Sequence, residues 1–210
     1  LLRKQYQAKL RESELQKEKT ETELKYLKNQ INPHFLFNTL NNIYSLARKK
    51  SEQTPEAVMK LSQLMRFMLY EASSPQILLL DELKLIEDYI ALEKLRYADR
   101  LVVEYKKKLD NPDQRIAPLL LIHFVENAFK HGAGESRFES FISIDVTLDN
   151  GLLTAIIANT KENTLVSATE KQIGLDNIKR QLELLYPNHK LTFVNDQTRF
   201  SAQLSVHLNG

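Results

Sequence analysis

The sequence has no cysteine in 210 residues, so disulfides, thiolate metal sites and cysteine nucleophiles are excluded. It has no long apolar run either. Stretches such as 77–80 and 119–122 fall far below the ~18 residues needed to span a bilayer, and no signal peptide is visible. A net charge of +2 gives no electrostatic case for nucleic acid or a membrane surface. What remains is an ordinary globular composition, 42% hydrophobic and 27% charged, at a length that fits one or two domains. The first residue is Leu1 rather than Met, which leads us to expect a piece of a longer protein, with any membrane portion upstream.

Residues 1–30 are rich in Lys, Glu, Gln and Leu, contain no Gly or Pro, and favour helix by propensity. Their apolar positions only loosely approach a heptad, which leaves two readings open: a solvated helical linker, or a coiled coil entering a dimer. Beyond them, Leu36, Leu40, Ile43 and Ala47 recur at spacings of four, three and four, the period of a helical stripe. Thr54 reads as an N-cap with Pro55 at the first helical position. Ala57, Leu61, Leu64 and Met68 then form one stripe with Val58, Met65 and Leu69 beside it, wide enough for a helical hairpin that also pairs with a second copy in a four-helix bundle. A third helix, capped by Asp81, runs through Leu83, Ile86, Ile90 and Tyr97 to about Ala98. Its charges (Glu82, Lys84, Glu87, Asp88, Glu93, Lys94 and Arg96) read as a solvated face.

The pattern changes near Arg100, and we place a domain boundary there, dividing the chain into 1–98 and 99–210. A strand is expected from Leu101, a helix over 117–131 stopped by Gly132, and strands over 141–148 and 152–158. Asp149-Asn150-Gly151 joins those two strands as a type I′ turn signal. A helix over 175–186 and strands over 191–194 and 200–208 close the chain. The order β-α-β-β-α-β-β predicts an α+β sandwich with helices on one face of a mostly antiparallel sheet.

Two stretches break the rules of pure packing. The string Gln30-Ile31-Asn32-Pro33-His34-Phe35-Leu36-Phe37-Asn38-Thr39-Leu40-Asn41 sets an imidazole beside a helix-kinking proline and among three asparagines. A lone histidine in a helix would read as a buried residue of a kinked coiled coil. Here local stability has been given up along a whole string, which is expected at functional sites. The second stretch, 119–131, is almost wholly apolar except at His123, Glu126, Asn127, Lys130 and His131. Those five share one helical face. Such a stripe either meets solvent or meets a ligand, and its donor set suits hydrated Mg²⁺ and phosphates.

The first string closely resembles the phosphoacceptor segment of LytS-like sensor histidine kinases. Val125-Glu126-Asn127-Ala128-Phe129-Lys130-His131-Gly132 resembles the N box of GHKL-type ATPases in its LytS-like form. Ile173-Gly174-Leu175-Asp176-Asn177-Ile178, followed by Arg180 and Leu182-Glu183-Leu184-Leu185-Tyr186-Pro187, resembles the second glycine box and the helix after it. The resemblance covers about residues 24–208. It implies a helical-hairpin dimerisation and phosphoacceptor domain followed by a GHKL α/β-sandwich that binds ATP. It further implies His34 as the phosphorylated residue; Asn38, one turn on, is placed to orient its ring. Asn127 would be the Mg²⁺ ligand, Lys130 and His131 would lie near the phosphates, and Gly174, Leu175 and Asn177 would contact the nucleotide. Many members carry Gln where this chain has His123. The polar segment 160–172 would be the lid over ATP.

Two departures stand out. The family's Asp-x-Gly-x-Gly box, whose aspartate bonds the adenine, is absent. The equivalent place reads Ala158-Asn159-Thr160-Lys161, and no glycine occurs between Gly151 and Gly174. Asn159 is then the residue left to reach adenine. The second glycine box, in turn, has Gln172 where the family normally starts with another glycine. The implied activity is Mg·ATP-dependent autophosphorylation of His34 by a homodimer, then transfer to an aspartate of a response-regulator receiver domain. The chain would be the cytoplasmic portion of a bacterial inner-membrane sensor, in contact with the membrane only through an upstream region, and with no direct nucleic-acid partner. The alternative is a catalytically degenerate, non-enzymatic dimeric signalling scaffold of the same fold. A plain coiled-coil interaction protein would not explain the stripe at 123–131.

Overall fold

The computed structural model describes residues 6, 33–97, 100–132, 140–161 and 168–208. The chain falls into two units, 1–31 and 32–210. In the first only Tyr6 is described, in helical conformation, so the helix expected over 1–30 otherwise lies outside the described residues.

Three helices open the second unit: α1 (Pro33–Arg48), α2 (Thr54–Tyr70) and, after a 3₁₀ turn at Glu71–Ser73, α3 (Leu79–Tyr97). Thr54 is the first residue of α2 rather than its cap, and its hydroxyl donates to the Ser51 carbonyl at 2.8 Å. The α2 stripe is buried at Ala57, Leu61 and Leu64, as its spacing predicts. The α1 stripe is not. Leu36 and Ile43 are half-buried, whereas Leu40 and Ala47 are exposed. Instead Phe35 and Thr39 turn inward.

The α3 charges depart from expectation more sharply. Glu82, Asp88 and Glu93 are buried, not solvated. Each burial has a local partner to offset desolvation. Asp88 accepts from Lys60 (3.2 Å) and Lys84 (3.3 Å), Glu93 accepts from the Tyr89 hydroxyl, and Glu82 accepts backbone N–H groups.

A two-residue strand β1 (Ile77–Leu78) precedes α3 and pairs antiparallel with β3 (Arg115–Ile116), Ile77 opposite Ile116. The main sheet has five strands: β2 (Leu101–Leu109), β4 (Ser140–Asp149), β5 (Leu152–Thr160), β6 (Lys190–Asn195) and β7 (Arg199–His207). Their spatial order is β2-β4-β5-β7-β6, so β2 and β6 are the edges. The β2–β4 pair is parallel and the rest antiparallel, which is the expected mostly antiparallel α+β sheet. Asn150 (φ 49°) and Gly151 (φ 77°) give the β4–β5 turn two consecutive left-handed residues, as a type I′ turn requires.

Helix α4 (Ile122–Gly132) packs on β4 and β5, and α5 spans Ala168–Leu185. Both depart from their expected starts. The run 117–121 stays outside α4 because Pro118 restricts its predecessor and Leu119 is left-handed (φ 62°), a conformation that costs a non-glycine residue about 1–2 kcal/mol. Helix α5 begins seven residues earlier than expected and puts Gly174 inside it. Glu170, Lys171 and Gln172 are good helix formers and extend it backwards. One apolar cluster runs from Phe35 through α3 and α4 to the sheet and Leu208, and burial of its large side chains contributes about 1.5–3 kcal/mol each. Among the described residues, no helix is long and apolar enough to cross a membrane.

Candidate functional site

Helix α4 carries the polar stripe, and its local sequence explains only part of how it is held. Ile122, Phe124, Val125, Ala128 and Phe129 are buried against the sheet and α3, leaving His123, Glu126, Asn127 and His131 half-buried and Lys130 exposed. The expected face is therefore present, at the boundary between core and solvent.

The N-terminal end lacks a capping side chain of its own, since Leu119, Leu120 and Leu121 precede it. A side chain from α3 substitutes. The Glu82 carboxylate accepts the Leu119 N–H at Oε2 (2.8 Å) and the Leu121 and Ile122 N–H groups at Oε1 (3.0 and 3.2 Å). Two of the donors that a helix start leaves open, those of Leu121 and Ile122, are thereby satisfied together with the Leu119 N–H before them, and a negative charge meets the positive end of the dipole. Burial pushes the Glu82 carboxyl above the usual range, against the pull of the three N–H donors and the neighbouring His123. Just upstream, the Ala117 N–H donates to the Tyr186 hydroxyl at 2.8 Å, and the Leu79 N–H donates to the Gln114 carbonyl at 2.8 Å.

The other end closes on β5. A Cβ on Gly132 would lie 2.5 Å from the Asn159 Cβ, so helix and strand approach too closely for any other residue. Asn159 is buried, with its amide Nδ2 donating to the Thr160 carbonyl at 2.7 Å.

Along the stripe, His123 Nδ1 and Glu126 Oε2 are 3.1 Å apart. Burial acts to lower the His123 pKa, but the hydrogen bond and charge of Glu126, with Glu82 behind it, hold it above the ordinary value. On the α3 side, the Tyr89 hydroxyl donates to Glu93 Oε1 at 3.4 Å, while Glu93 Oε2 has no hydrogen-bond partner among the described residues. Burial drives the Tyr89 hydroxyl far above its usual pKa, and the charges of Glu93 and Glu126 add to it.

The His34 string meets this assembly through Phe35. Phe35 stacks on Tyr89 (centroids 4.6 Å apart), and Tyr89 meets Phe129 of α4 edge-on (5.5 Å). His34 belongs to the first turn of α1, with its side chain outside the description, and Asn38 is half-buried one turn on. Gly174 and Leu175 lie within α5, their side chains likewise outside the description, while Asn177 is half-buried. Of the lid segment, 162–167 lies outside the described residues and 168–172 is helical.

Sequence reasoning missed Glu82, Tyr89 and Glu93 as members of the assembly. Their spacing held the signal: 82, 86, 89 and 93 fall on one helical face, with Ile86 already in the apolar stripe.

Among the described residues, no group of three or more His, Asp or Glu is arranged to hold a metal. Mg²⁺ does not require one, because it keeps several waters and binds through one or two protein oxygens together with substrate phosphates. The Asn127 amide beside Lys130 fits that mode.

Residues 22–101 match the model of the family described as histidine kinase. The sensor protein LytS of Staphylococcus haemolyticus is 31% identical over 200 residues, covering 90% of this chain and 34% of the relative. The sensor histidine kinase YpdA of Escherichia coli is 33% identical over 186 residues, covering 84% of this chain and 33% of the relative. The chain thus spans about a third of the length of these curated relatives. Among solved structures, the histidine kinase domain of a blue-light activated kinase from Erythrobacter litoralis aligns at a TM-score of 0.46 and 12% identity, covering 90% of this chain and 93% of that one. The chain belongs to the histidine kinase family, with the sensor protein LytS of Staphylococcus haemolyticus among its relatives.

Proposed function

We propose that this chain is the core of a two-component sensor histidine kinase that phosphorylates His34 from Mg·ATP and passes the group to a response-regulator aspartate. The observation that carries the reading is the α4 stripe: an otherwise buried helix presents Asn127, Lys130 and His131 at its accessible face, in a chain of this family. Residues 1–98 would form the dimerisation and acceptor domain and 99–210 the ATP-binding domain.

Asn127 would hold Mg²⁺ through its amide oxygen, with Lys130 and His131 toward the phosphates and Asn159, Asn177, Gly174 and Leu175 toward the rest of the nucleotide. Mg²⁺ supplies charge neutralisation when bound. A neutral imidazole carries a free electron pair on one ring nitrogen, and His34 would act in that form. That nitrogen attacks the γ-phosphorus, the N–P bond forms as the bond to the β-phosphate oxygen breaks, and ADP leaves. The N–H proton of the phosphorylated ring passes to water. Asn38, one turn on, would orient the ring, and Lys130 would offset developing charge; the contribution is mostly positioning.

Exposed Phe37, Leu40 and Tyr44 on α1, with Val58, Met65 and Leu69 on α2, supply an apolar face for a second copy of the hairpin. The complete protein would be a bacterial inner-membrane sensor with this portion in the cytoplasm.

The test is autophosphorylation with γ-labelled ATP and mapping of the labelled residue. Label on His34, lost in His34→Gln, supports the reading; label at wild-type level in that variant refutes it. One observation favours the scaffold alternative. Asn159 turns its amide to the Thr160 carbonyl and fills the space at Gly132, where the family carries its adenine aspartate. No Mg·ATP binding at millimolar concentration would select the scaffold.

A further inference from the structure

We infer that Glu82 is a positioning residue for the nucleotide site: its carboxylate, projecting from α3, sets the start of α4 and through it the placement of Asn127. The inference rests on the reading of Asn127 as the Mg²⁺ ligand and adds to it a residue on a different helix.

The geometry is unusually complete. Glu82 is fully buried, and both carboxylate oxygens are occupied by N–H groups of the run into α4. Leu119, the first of those donors, holds a left-handed φ of 62° although its side chain is buried in the core. A leucine adopts that conformation only where its surroundings over-determine it. The surroundings are named: Glu82 takes the N–H of Leu119, Tyr186 takes the N–H of Ala117, and β3 is clamped to β1 directly before α3. The starts of α3 and α4 are thus tied together by a strand pair and a three-bond cap.

From Ile122 the helix is continuous, and Asn127 lies five residues along it. A rotation at the cap therefore turns the whole stripe. The cap also decides where phosphates can lie. Glu82 takes the Leu121 and Ile122 N–H groups, among those that commonly hold an anion at a helix start, which leaves the side-chain stripe as the place for a polyphosphate at α4. A burial requirement alone would be met by any apolar residue at position 82. A carboxylate at this position is explained by the three N–H groups it orders.

The experiment titrates Mg·ATP against the whole chain by calorimetry, using wild type, Glu82→Gln, Asn127→Ala and the double variant. Gln keeps one acceptor but opposes its amide N–H to that of Leu119. Glu82→Gln should lower Mg·ATP affinity about 10-fold, the loss typical when an outer partner of a metal ligand is removed. In the Asn127→Ala background the same change should alter affinity by no more than about twofold, because a residue acting through Asn127 has nothing left to position. Wild-type affinity in Glu82→Gln, or an equal loss in both backgrounds, overturns the inference. Leu119→Ile covers the case in which Glu82→Gln does not fold. It keeps the side-chain volume and the carboxylate, but a β-branched residue resists positive φ. It should lose affinity as Glu82→Gln does, and wild-type binding in it refutes the idea. Failure of wild type itself to bind Mg·ATP is a separate result: it sinks the nucleotide reading and takes this inference with it.

Discussion

Phe35 and Tyr89 are stacked, ring on ring, 4.6 Å between centroids and 26° from parallel. Phe35 directly follows His34, and Tyr89 touches Phe129, two residues after Asn127. Position 34 is therefore anchored, through its neighbour, to the helix that carries the polar stripe.

Phe35→Ala should destabilise the 32–210 unit by about 3–5 kcal/mol, since it empties a buried ring site. Tyr89→Phe keeps both ring contacts and loses only the hydroxyl bond to Glu93, so about 1 kcal/mol is expected. Urea denaturation followed by circular dichroism measures both. Equal losses would mean that the hydroxyl, not the stack, is the anchor.

Glu93 predicts a pH dependence. Burial raises its pKa above the usual 4.5, Arg96 and the Tyr89 hydroxyl pull it down, and Glu126 pushes it up again. Because the folded value is the higher one, the unfolded chain releases this proton first. Wild type therefore loses stability relative to Glu93→Gln as pH rises from about 4.5 through the folded pKa, and keeps a constant deficit above it. Below 4.5 both side chains are neutral and the gap should close. Melting curves at pH 4 and pH 8 decide it, and an identical gap at the two values refutes the assignment.

At the far end of α4, Gly132→Ala places a methyl against the Asn159 Cβ. A loss of about 1–3 kcal/mol is expected from overpacking. Removing the opposing Cβ in Gly132→Ala/Asn159→Gly should restore part of it in a double-mutant cycle; strict additivity would show that the two positions do not collide.

The apolar face of α1 and α2 gives a prediction about assembly. Leu40→Glu with Tyr44→Lys changes two exposed positions and should leave the melting of the monomer almost unchanged, within about 0.5 kcal/mol. Light scattering should then report a dimer for wild type and a monomer for the variant. A dimer in both proteins would place the interface elsewhere.

What was legible in the sequence was local. The Asn150-Gly151 turn needs only two residues to specify it, and the α4 stripe needs only one helical period. The opposite case is Glu82, whose donors lie 37 to 40 positions away, so nothing near it distinguishes a buried cap from a solvated charge. Asp88 is hidden for the same reason, with Lys60 at a distance of 28 residues. Helix α4 starts later than its sequence predicts because Leu119 takes a left-handed φ beside a partner on another helix, which its own propensity does not report. The α1 stripe at Leu40 and Ala47 has the right period but no cover within the described chain, since periodicity identifies an apolar face without saying what lies on it.

Strand β2 joins the sheet parallel to β4, and the connection between them, roughly thirty residues, contains α4. A parallel neighbour cannot zip up from a tight turn, so β2 docks only after that long crossover has closed. Until then β2 lacks even its β4 partner, and its outer edge stays open to strands of other molecules in the finished sheet as well. Lys106, Lys107 and Lys108, all exposed on that edge, repel such pairing during the wait. Replacing them with neutral residues should leave the finished molecule intact and make its synthesis prone to aggregation, a penalty visible in refolding yield rather than in stability.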